Sequence, residues 1–334
     1  MTETTGAQVP LTMQGAAFDA FRNRGRSGVL LFATLGYLLL TIVIIGLFVY
    51  LNWAGLGAYF GWYVDLVRNT AAPGAKPEDV AAAMAMPPAA VFTLIPTYLL
   101  TIFLVYVVLA AYEAACLRWL VHGETGGVFV GLGFGADTWR VWGGYWLWFL
   151  MYMAFIICVE ILIFLVAGGA FLAAASAGGE PNMANFGVGA LIAIVLALVA
   201  IALWIWVSVR FAPAAATSIL RKRFSFFQAW AVTRGKFWSL FGSFAMLLLL
   251  YLVAVIVIGG VGFFVALAGP IASLATAGGT PDPQAALQAF LQPTTLIAAG
   301  ITYLLILTAA YLFFIGMFGV NARAVLVAKQ EGRL

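Results

Sequence analysis

Long stretches without a charged side chain divide this chain into hydrophobic blocks. Four of them lie between Arg26 and Asp65, between Asp79 and Glu113, between Lys236 and Asp282, and between Asp282 and Arg323. Each exceeds the roughly 20 apolar residues that a helix needs to cross hydrocarbon. Within them the apolar residues are continuous rather than alternating, which favours helices over the strands of a membrane barrel. The pattern therefore predicts an all-α integral membrane protein.

Six blocks are long enough to cross a membrane. We predict transmembrane helices at about residues 29–53, 89–115, 146–170, 187–209, 240–266 and 296–320. Glu160 interrupts the third block, but one carboxylate does not cancel a span that is otherwise apolar. The sequence thus favours six transmembrane helices in a single membrane domain that covers residues 1–334.

Composition agrees with this interpretation. Hydrophobic residues make up 65% of the chain and charged residues only 8%, with a mean hydropathy of +1.08. Soluble domains carry about 25% charged residues because water must wet their surface. Lipid is therefore the expected solvent for most of this chain.

The basic residues predict the orientation. Of the 16 Lys and Arg residues, 14 lie before the first predicted span, after the last, or in the second-to-third and fourth-to-fifth connections. Lys and Arg near span ends stay on the cytoplasmic side. Six spans with both termini in the cytoplasm place nearly all of these residues on that side.

Three similar segments precede the three outward-going spans. Residues 18–26, 136–146 and 227–238 each combine aromatic residues, a basic residue and a glycine. This composition is typical of an amphipathic helix in the membrane interface, with the glycine permitting a turn into the span. We therefore predict three hairpins, each preceded by an interfacial helix, in repeats of about 14–122, 130–222 and 224–330. Basic and aromatic interface residues also recur without repetition in membrane proteins, and this alternative stays open.

The returning spans end in segments rich in small residues. These segments cover residues 112–117, 212–217 and 320–325. Small side chains allow membrane helices to approach closely, so we expect tight packing at the cytoplasmic ends of these helices.

A family resemblance rests on about thirty residues of the third repeat. Residues 209–214 read VRFAPA, residues 221–225 read RKRFS, and residues 229–238 read AWAVTRGKFW. In this order they resemble the membrane domain fused to some bacterial glycerophosphoryl diester phosphodiesterases. The resemblance implies a bacterial cytoplasmic (inner) membrane and a lipid-linked role. The fused enzyme uses paired histidines, carboxylates and a metal, whereas this chain has one histidine, His122. The resemblance therefore does not imply phosphodiesterase activity.

Glu160 is the most conspicuous candidate for a functional residue inside a span. A carboxylate there costs roughly 2.5–3.5 kcal/mol on insertion scales, and such residues often mark a pathway or a proton site. The alternative is a protonated or hydrogen-bonded glutamate nearer the outer interface, paired with a hydroxyl or an indole of a neighbour. A role in a pathway predicts a polar partner on another span.

Further polar residues lie at the cytoplasmic ends of the returning spans. Glu113, Asn321, Arg118 and Arg210 are candidates for a polar pocket that binds an anionic headgroup. Local pairing of Glu113 with Arg118, or extension of the side chains to the interface, is the simpler interpretation.

A juxtamembrane cluster adds further cations, namely Arg221, Lys222, Arg223, Arg234 and Lys236. Each cation near the surface attracts anionic lipid by about 1 kcal/mol. Topology alone would also explain this cluster.

Other chemistries lack the residues they require. Cys116, His122 and Glu124 are too few for a dedicated tetrahedral metal site, and no cofactor motif has the right context. No nucleophile–base pair indicates catalysis, and the positive charge lies at the membrane edge rather than on a nucleic-acid-binding face. We therefore expect a membrane protein that is not an enzyme and interacts with lipid or takes part in transport. The alternative is a structural or assembly component that binds other membrane proteins.

Overall fold

The computed structural model describes residues 12–24, 28–71, 89–125, 131–176, 183–276 and 292–334. Helices dominate this part of the chain, and no extended strand occurs in it. The helices are α1 Val29–Leu51, α2 Trp53–Ala71, α3 Ala89–Phe92, α4 Leu94–His122, α5 Ala136–Ser176, α6 Met183–Phe211, α7 Ala214–Leu220, α8 Ala229–Thr233, α9 Phe237–Thr276 and α10 Pro293–Gln330. Short single-turn helices occupy Ala16–Phe18, Ala20–Arg24 and Phe226–Gln228.

Six helices in the described residues are long and apolar enough to cross a membrane. They correspond to α1, α4, α5, α6, α9 and α10. Each overlaps one predicted span. The prediction of an all-α chain with six candidate membrane-spanning helices is thereby confirmed.

The helices extend beyond the apolar stretches that predicted them. Helices α5, α9 and α10 have 41, 40 and 38 residues. At a rise of 1.5 Å per residue such helices are about 60 Å long, twice the roughly 30 Å of hydrocarbon. Helix α2 also continues α1 past its predicted end at residue 53, because the amides of Asn52 and Leu56 bond to Phe48 and Asn52. Helical hydrogen bonding continues into residues that are less apolar, so the hydropathy of the sequence predicts only the apolar part of each helix and not its ends.

The chain divides into two compact units. The smaller unit comprises Leu31–Ala115 and Thr125–Trp142, and the larger comprises Met1–Leu30, Cys116–Glu124 and Gly143–Leu334. Contacts between α1 and α4 organise the smaller unit. Thr34 and Tyr112 share a hydrogen bond of 2.9 Å, and the Thr97 hydroxyl donates to Asn52 Oδ1 at 2.8 Å. The contacts run in opposite order along the two helices, so α1 and α4 are antiparallel.

Two helix pairs contribute most of the larger unit. Helices α9 and α10 are antiparallel, since Tyr251 stacks on Phe313 with ring centres 5.1 Å apart, and Gly262 lies against Thr302. Helix α5 contacts α6 through aromatic rings, where Trp204 lies 5.7 Å from Trp148. Small and aromatic side chains therefore both serve as helix contacts, as expected in lipid.

Buried residues of the larger unit concentrate toward the basic ends of its helices. Phe211, Ala214, Phe226 and Ala229 form one core cluster. The segment at Ala16–Arg24 packs on α10, where a side chain on Gly319 would lie 2.8 Å from the Ala20 Cβ. Several small residues of the predicted segments, Ala214, Ala216, Ala322 and Ala324, are buried here.

The predicted glycine turns are present in only part of the chain. Gly235, with φ at +73°, separates α8 from α9, and its conformation suits glycine. Gly25 lies outside the described residues. Helix α5 runs without a break through Gly143 and Gly144, so the turn expected there is wrong. At Gly143 the missing side chain instead makes room for the ring of Phe224, 3.4 Å from where a Cβ would lie.

Candidate functional site

The guanidinium of Arg210 is surrounded by aromatic rings at the end of α6. Its Cζ lies 5.2 Å from the ring centre of Trp230, 5.5 Å from that of Trp206 and 5.6 Å from that of Phe237. A cation over aromatic faces within about 6 Å is attracted by their quadrupoles. Arg210 is half-buried in this arrangement, which we call the Arg210 box.

Local sequence explains how the box assembles. Trp206 precedes Arg210 by four residues, which puts both side chains on one face of α6. Pro213 supplies no amide hydrogen and follows the end of α6. The chain turns after α7, where Lys222 has a positive φ of 51° and the Arg223 amide donates to Ser218 O. The returning chain brings Thr233 beside Arg210: Arg210 Nη1 donates to Thr233 O at 3.1 Å, and the Thr233 hydroxyl donates to Arg210 O at 3.3 Å.

The charge of Arg210 is held but not neutralised. No carboxylate forms an ion pair with it in the part of the chain that the structure describes. Its Nε is enclosed and has no hydrogen-bond partner among those residues. Aromatic rings orient a cation without cancelling its charge. The box can therefore attract an anion.

The C-terminal residues add charge next to the box. Arg333 Nη1 donates to the carbonyls of Ala231 at 3.1 Å and Arg234 at 3.2 Å, and to that of Val232. Its Nη2 lies 2.7 Å from the Glu331 carboxylate, which also pairs with Lys236 at 3.0 Å. The hydrogen bond from Lys236, and then Arg333, lowers the pKa of Glu331 below 4.5.

A single carboxylate side chain, that of Glu331, thus serves two cations, while Arg210 and Arg234 are in no ion pair among the described residues. The neighbourhood of the box carries a net positive charge. Charge of this sign and density is suited to a phosphate group.

Residues 221–238, which we call the basic–aromatic segment, present cations and aromatic rings on the surface. The exposed cations are Lys222, Arg223 and Arg234, and Arg221 is half-buried. Four exposed aromatic residues accompany them, namely Phe224, Phe227, Trp230 and Trp238. Lys222 also lies 3.7 Å from Glu124. This mixture is typical of a surface at headgroup depth.

The remaining residues of the predicted polar pocket are not among the contacts of Arg210. Glu113 and Asn321 are buried, with 8% and 6% of their surface exposed, and Arg118 is half-buried. Asn321 lies on α10, and its Oδ1 has no hydrogen-bond partner in the described residues. Convergence of Glu113, Arg118 and Asn321 on one pocket with Arg210 stays a prediction.

Glu160 is exposed on the surface of α5. Within the described part of the chain, no hydrogen bond or ion pair involves its carboxylate. The polar partner on another span that a pathway role requires is therefore not found in the described residues.

Sequence reasoning missed two pairs that involve the chain ends. Arg323 bonds to Asp19 at 3.3 Å and to the carbonyl of Thr12, and Arg333 bonds around α8. Asp19 already lay in the first predicted interfacial segment, and Arg323 lay in the last small-residue segment. Their opposite charges were the available signal, but no spacing rule links residues 304 positions apart.

The three residues weighed as metal ligands have other surroundings. His122 Nε2 donates to Ile219 O at 3.2 Å, Cys116 is buried, and Glu124 lies beside Lys222. The described residues contain no group of three or more side chains suited to a metal ion. The Arg210 box, and not a metal centre, is therefore the candidate site in the described residues.

Comparison with protein-family models, curated proteins and solved structures finds no match to this chain.

Proposed function

We propose that this chain is a lipid-interacting inner-membrane protein that holds the phosphate of an anionic phospholipid at the Arg210 box. Both termini lie in the cytoplasm, and the basic–aromatic segment lies at the headgroups of the cytoplasmic leaflet. The observation that carries the proposal is the un-neutralised Arg210 guanidinium, fixed by three rings and by Thr233.

The surroundings of the box support a lipid as the source of the phosphate. Trp238 has 78% of its surface exposed and Phe227 has 64%, and both flank the box in the chain. Aromatic rings favour the depth of the headgroups, where they would position the segment. Lys222, Arg223 and Arg234 would contribute further attraction of about 1 kcal/mol each for an anionic surface.

The contacts between helices support the finer architecture, three hairpins each preceded by an interfacial element. In each repeat, an aromatic or small residue ahead of the outward-going span contacts the returning helix of another repeat. Ala20 lies against Gly319, Trp142 lies 5.6 Å from Phe103, and Trp230 lies 5.2 Å from Trp206. Equivalent contacts of this kind are expected of a threefold repeat.

The resemblance to the membrane domain of some glycerophosphoryl diester phosphodiesterases agrees with a role linked to phospholipids. It supplies no reaction, because the paired histidines of the fused enzyme have no counterpart here. We assign the chain no enzymatic activity. Transport is less well supported than lipid binding, since Glu160 has no polar partner on another described span.

A lipid titration tests the proposal. The purified full-length protein in phosphatidylcholine nanodiscs would be titrated with phosphatidylglycerol, and bound lipid would be counted by native mass spectrometry. Loss of a charge-assisted hydrogen bond costs about 1.5–3 kcal/mol, so Arg210→Ala should weaken phosphatidylglycerol binding by about tenfold to a hundredfold. Binding of phosphatidylcholine should not change.

Arg140→Ala is the matched control, because Arg140 is also half-buried but already pairs with Asp137. It should leave the affinity for phosphatidylglycerol as it was. Equal affinities in the wild type and in a folded Arg210→Ala variant would refute the proposal, and equal loss in both variants would do the same.

A role as an assembly component is the second candidate, and one observation favours it. Glu160 is exposed among apolar side chains and has no partner within the described chain. A partner protein would supply one.

A further inference from the structure

Glu160 is the one charged residue in the sequence between Arg140 and Glu180. Nineteen residues without charge separate it from Arg140 on one side, and nineteen separate it from Glu180 on the other. Within the span predicted at about residues 146–170, Glu160 lies fourteen residues, or about 21 Å of helix, from one end and ten residues, or about 15 Å, from the other. A glutamate side chain is too short to reach either end. In that span the carboxylate lies at the depth of the hydrocarbon.

The face of α5 that carries Glu160 is not the face that packs on α6. Trp148, Tyr152 and Phe155 form the stripe that contacts Trp204. Each residue of a helix advances by about 100°, which places Glu160 about a third of a turn from this stripe. Ile157 and Phe164, one turn before and after it, are both exposed. The face is thus an apolar surface with one carboxylate at its centre.

In the part of the chain that the structure describes, no cation pairs with Glu160. Of the described basic residues, Arg118, Arg140 and Arg210 lie at the ends of the apolar stretches, and Arg323 already pairs with Asp19. A second copy carries the same residues and would bring no cation to the depth of Glu160. A carboxylate at this depth is found facing a partner that compensates it rather than lipid.

We propose that the Glu160 face of α5 is the docking surface for a transmembrane helix of a different membrane protein, one that carries a Lys or Arg near the middle of its span. Ile157 and Phe164 pack on that helix, and Glu160 forms an ion pair with its cation. Charge complementarity selects the partner and fixes the depth at which it docks. This inference does not depend on lipid binding at the Arg210 box.

Photo-crosslinking in native membranes tests the proposal. A photoreactive residue at Phe164 should crosslink to one other membrane protein, whereas the same residue at Leu198, an exposed apolar position on α6, should not. Glu160→Gln should reduce the Phe164 crosslink at least tenfold, and Glu160→Asp should retain most of it. Glu160→Gln removes a charge from the span, so insertion should be unharmed, and the amount of protein in the membrane checks this.

Charge exchange makes the test specific. Replacing the Lys or Arg of the crosslinked partner with Glu should abolish the crosslink, and Glu160→Lys should restore it in that background. The proposal is overturned if the Phe164 probe reaches only lipid, a second copy or another helix of this chain. It is also overturned if Glu160→Gln leaves the crosslink unchanged, or if no crosslink forms. Phosphatidylglycerol binding by Glu160→Gln should equal that of the wild type, which separates this result from the lipid proposal.

Discussion

The guanidinium carbon of Arg210 lies 5.2 Å from the ring centre of Trp230, a residue twenty positions further along the chain. The ring packs on the cation, and the chain between them turns at residues 221–223, after α7. This relationship ties the end of α6 to α8.

Trp230→Leu should loosen the segment at residues 229–236. Leucine keeps apolar bulk but lacks the π face, and a cation–π contact contributes about 0.5–2 kcal/mol. Amide hydrogen exchange in this segment should therefore accelerate by about twofold to thirtyfold. Trp238→Leu is the control, since Trp238 contacts Phe237 and Phe241 rather than Arg210. Equal acceleration by both variants would mean that the contact with Arg210 has no special role.

Arg333→Ala should also destabilise α8, from the opposite side. The guanidinium donates hydrogen bonds to three backbone carbonyls around the end of this helix. The last carbonyls of a helix have no amide donor within the helix, so a cation there stabilises them. Exchange of the amides at 229–236 should rise about tenfold, as expected for the loss of about 1.4 kcal/mol. Arg333→Lys should not restore protection, because one ammonium cannot replace the planar fork. Lys329→Ala, at an exposed position nearby, should have no effect, and protection in Arg333→Ala as high as in the wild type would contradict this account.

Gly319→Ala should lower the thermal stability of the protein in detergent. Its Cβ would lie 2.8 Å from the Ala20 Cβ and 3.0 Å from the Ala20 amide nitrogen, so backbone must shift. Such overpacking typically costs about 1–3 kcal/mol. Gly300→Ala on the same helix meets no atom within 4 Å, so it should be neutral or slightly stabilising. If the two variants melt at the same temperature, the Ala16–Arg24 segment does not pack on α10 as described.

Acidification should release the C-terminal residues from α8. Lys236 and Arg333 lower the pKa of Glu331 in the folded protein below its ordinary 4.5. A lowered folded-state pKa contributes stability that is present above about pH 4.5 and is lost as pH falls through the folded-state value. The carboxylate is partly exposed, so solvent screening keeps the effect modest.

Amide exchange at residues 229–236, followed from pH 6 downward and corrected for the intrinsic rate, would detect this loss. Glu331→Gln should make the corrected profile flat, whereas Glu124→Gln, which alters the Lys222 pair, should leave it unchanged. A profile with the same acid-dependent loss in Glu331→Gln would assign the effect to another group.

The membrane-spanning helices were predictable because hydrocarbon imposes a simple requirement on sequence. Twenty apolar residues report a span wherever they occur, and all six predicted blocks coincide with long helices. The ends were not predictable in the same way. Trp53–Ala71 contains Asp65 and Arg68 and loses the apolar signal, yet the helix continues because backbone hydrogen bonding does not depend on hydropathy. Gly143 was misread as a turn because glycine serves close ring packing as well as turns.

The components of the candidate site were visible in the sequence, but their assembly was not. Arg210 was a candidate headgroup ligand, and Trp230 and Phe237 belonged to the motif of the third repeat. Their meeting depends on how the chain turns after Leu220, which no periodicity encodes. For Arg333 only the nearby Glu331 was visible as a partner, since the carbonyls to which it donates lie about a hundred residues earlier. For Glu160, the sequence predicted a polar partner on another helix, and the described structure contains none.

If a lipid phosphate occupies the Arg210 box, electron cryo-microscopy of the protein in nanodiscs made from native membranes should show it. We expect density for a phosphate within about 3 Å of a guanidinium nitrogen of Arg210, with acyl chains running along α6. The same density should be missing from particles of Arg210→Ala. A box that is empty of lipid in the wild type, or an Arg210 guanidinium paired with a carboxylate of the protein, would contradict the claim.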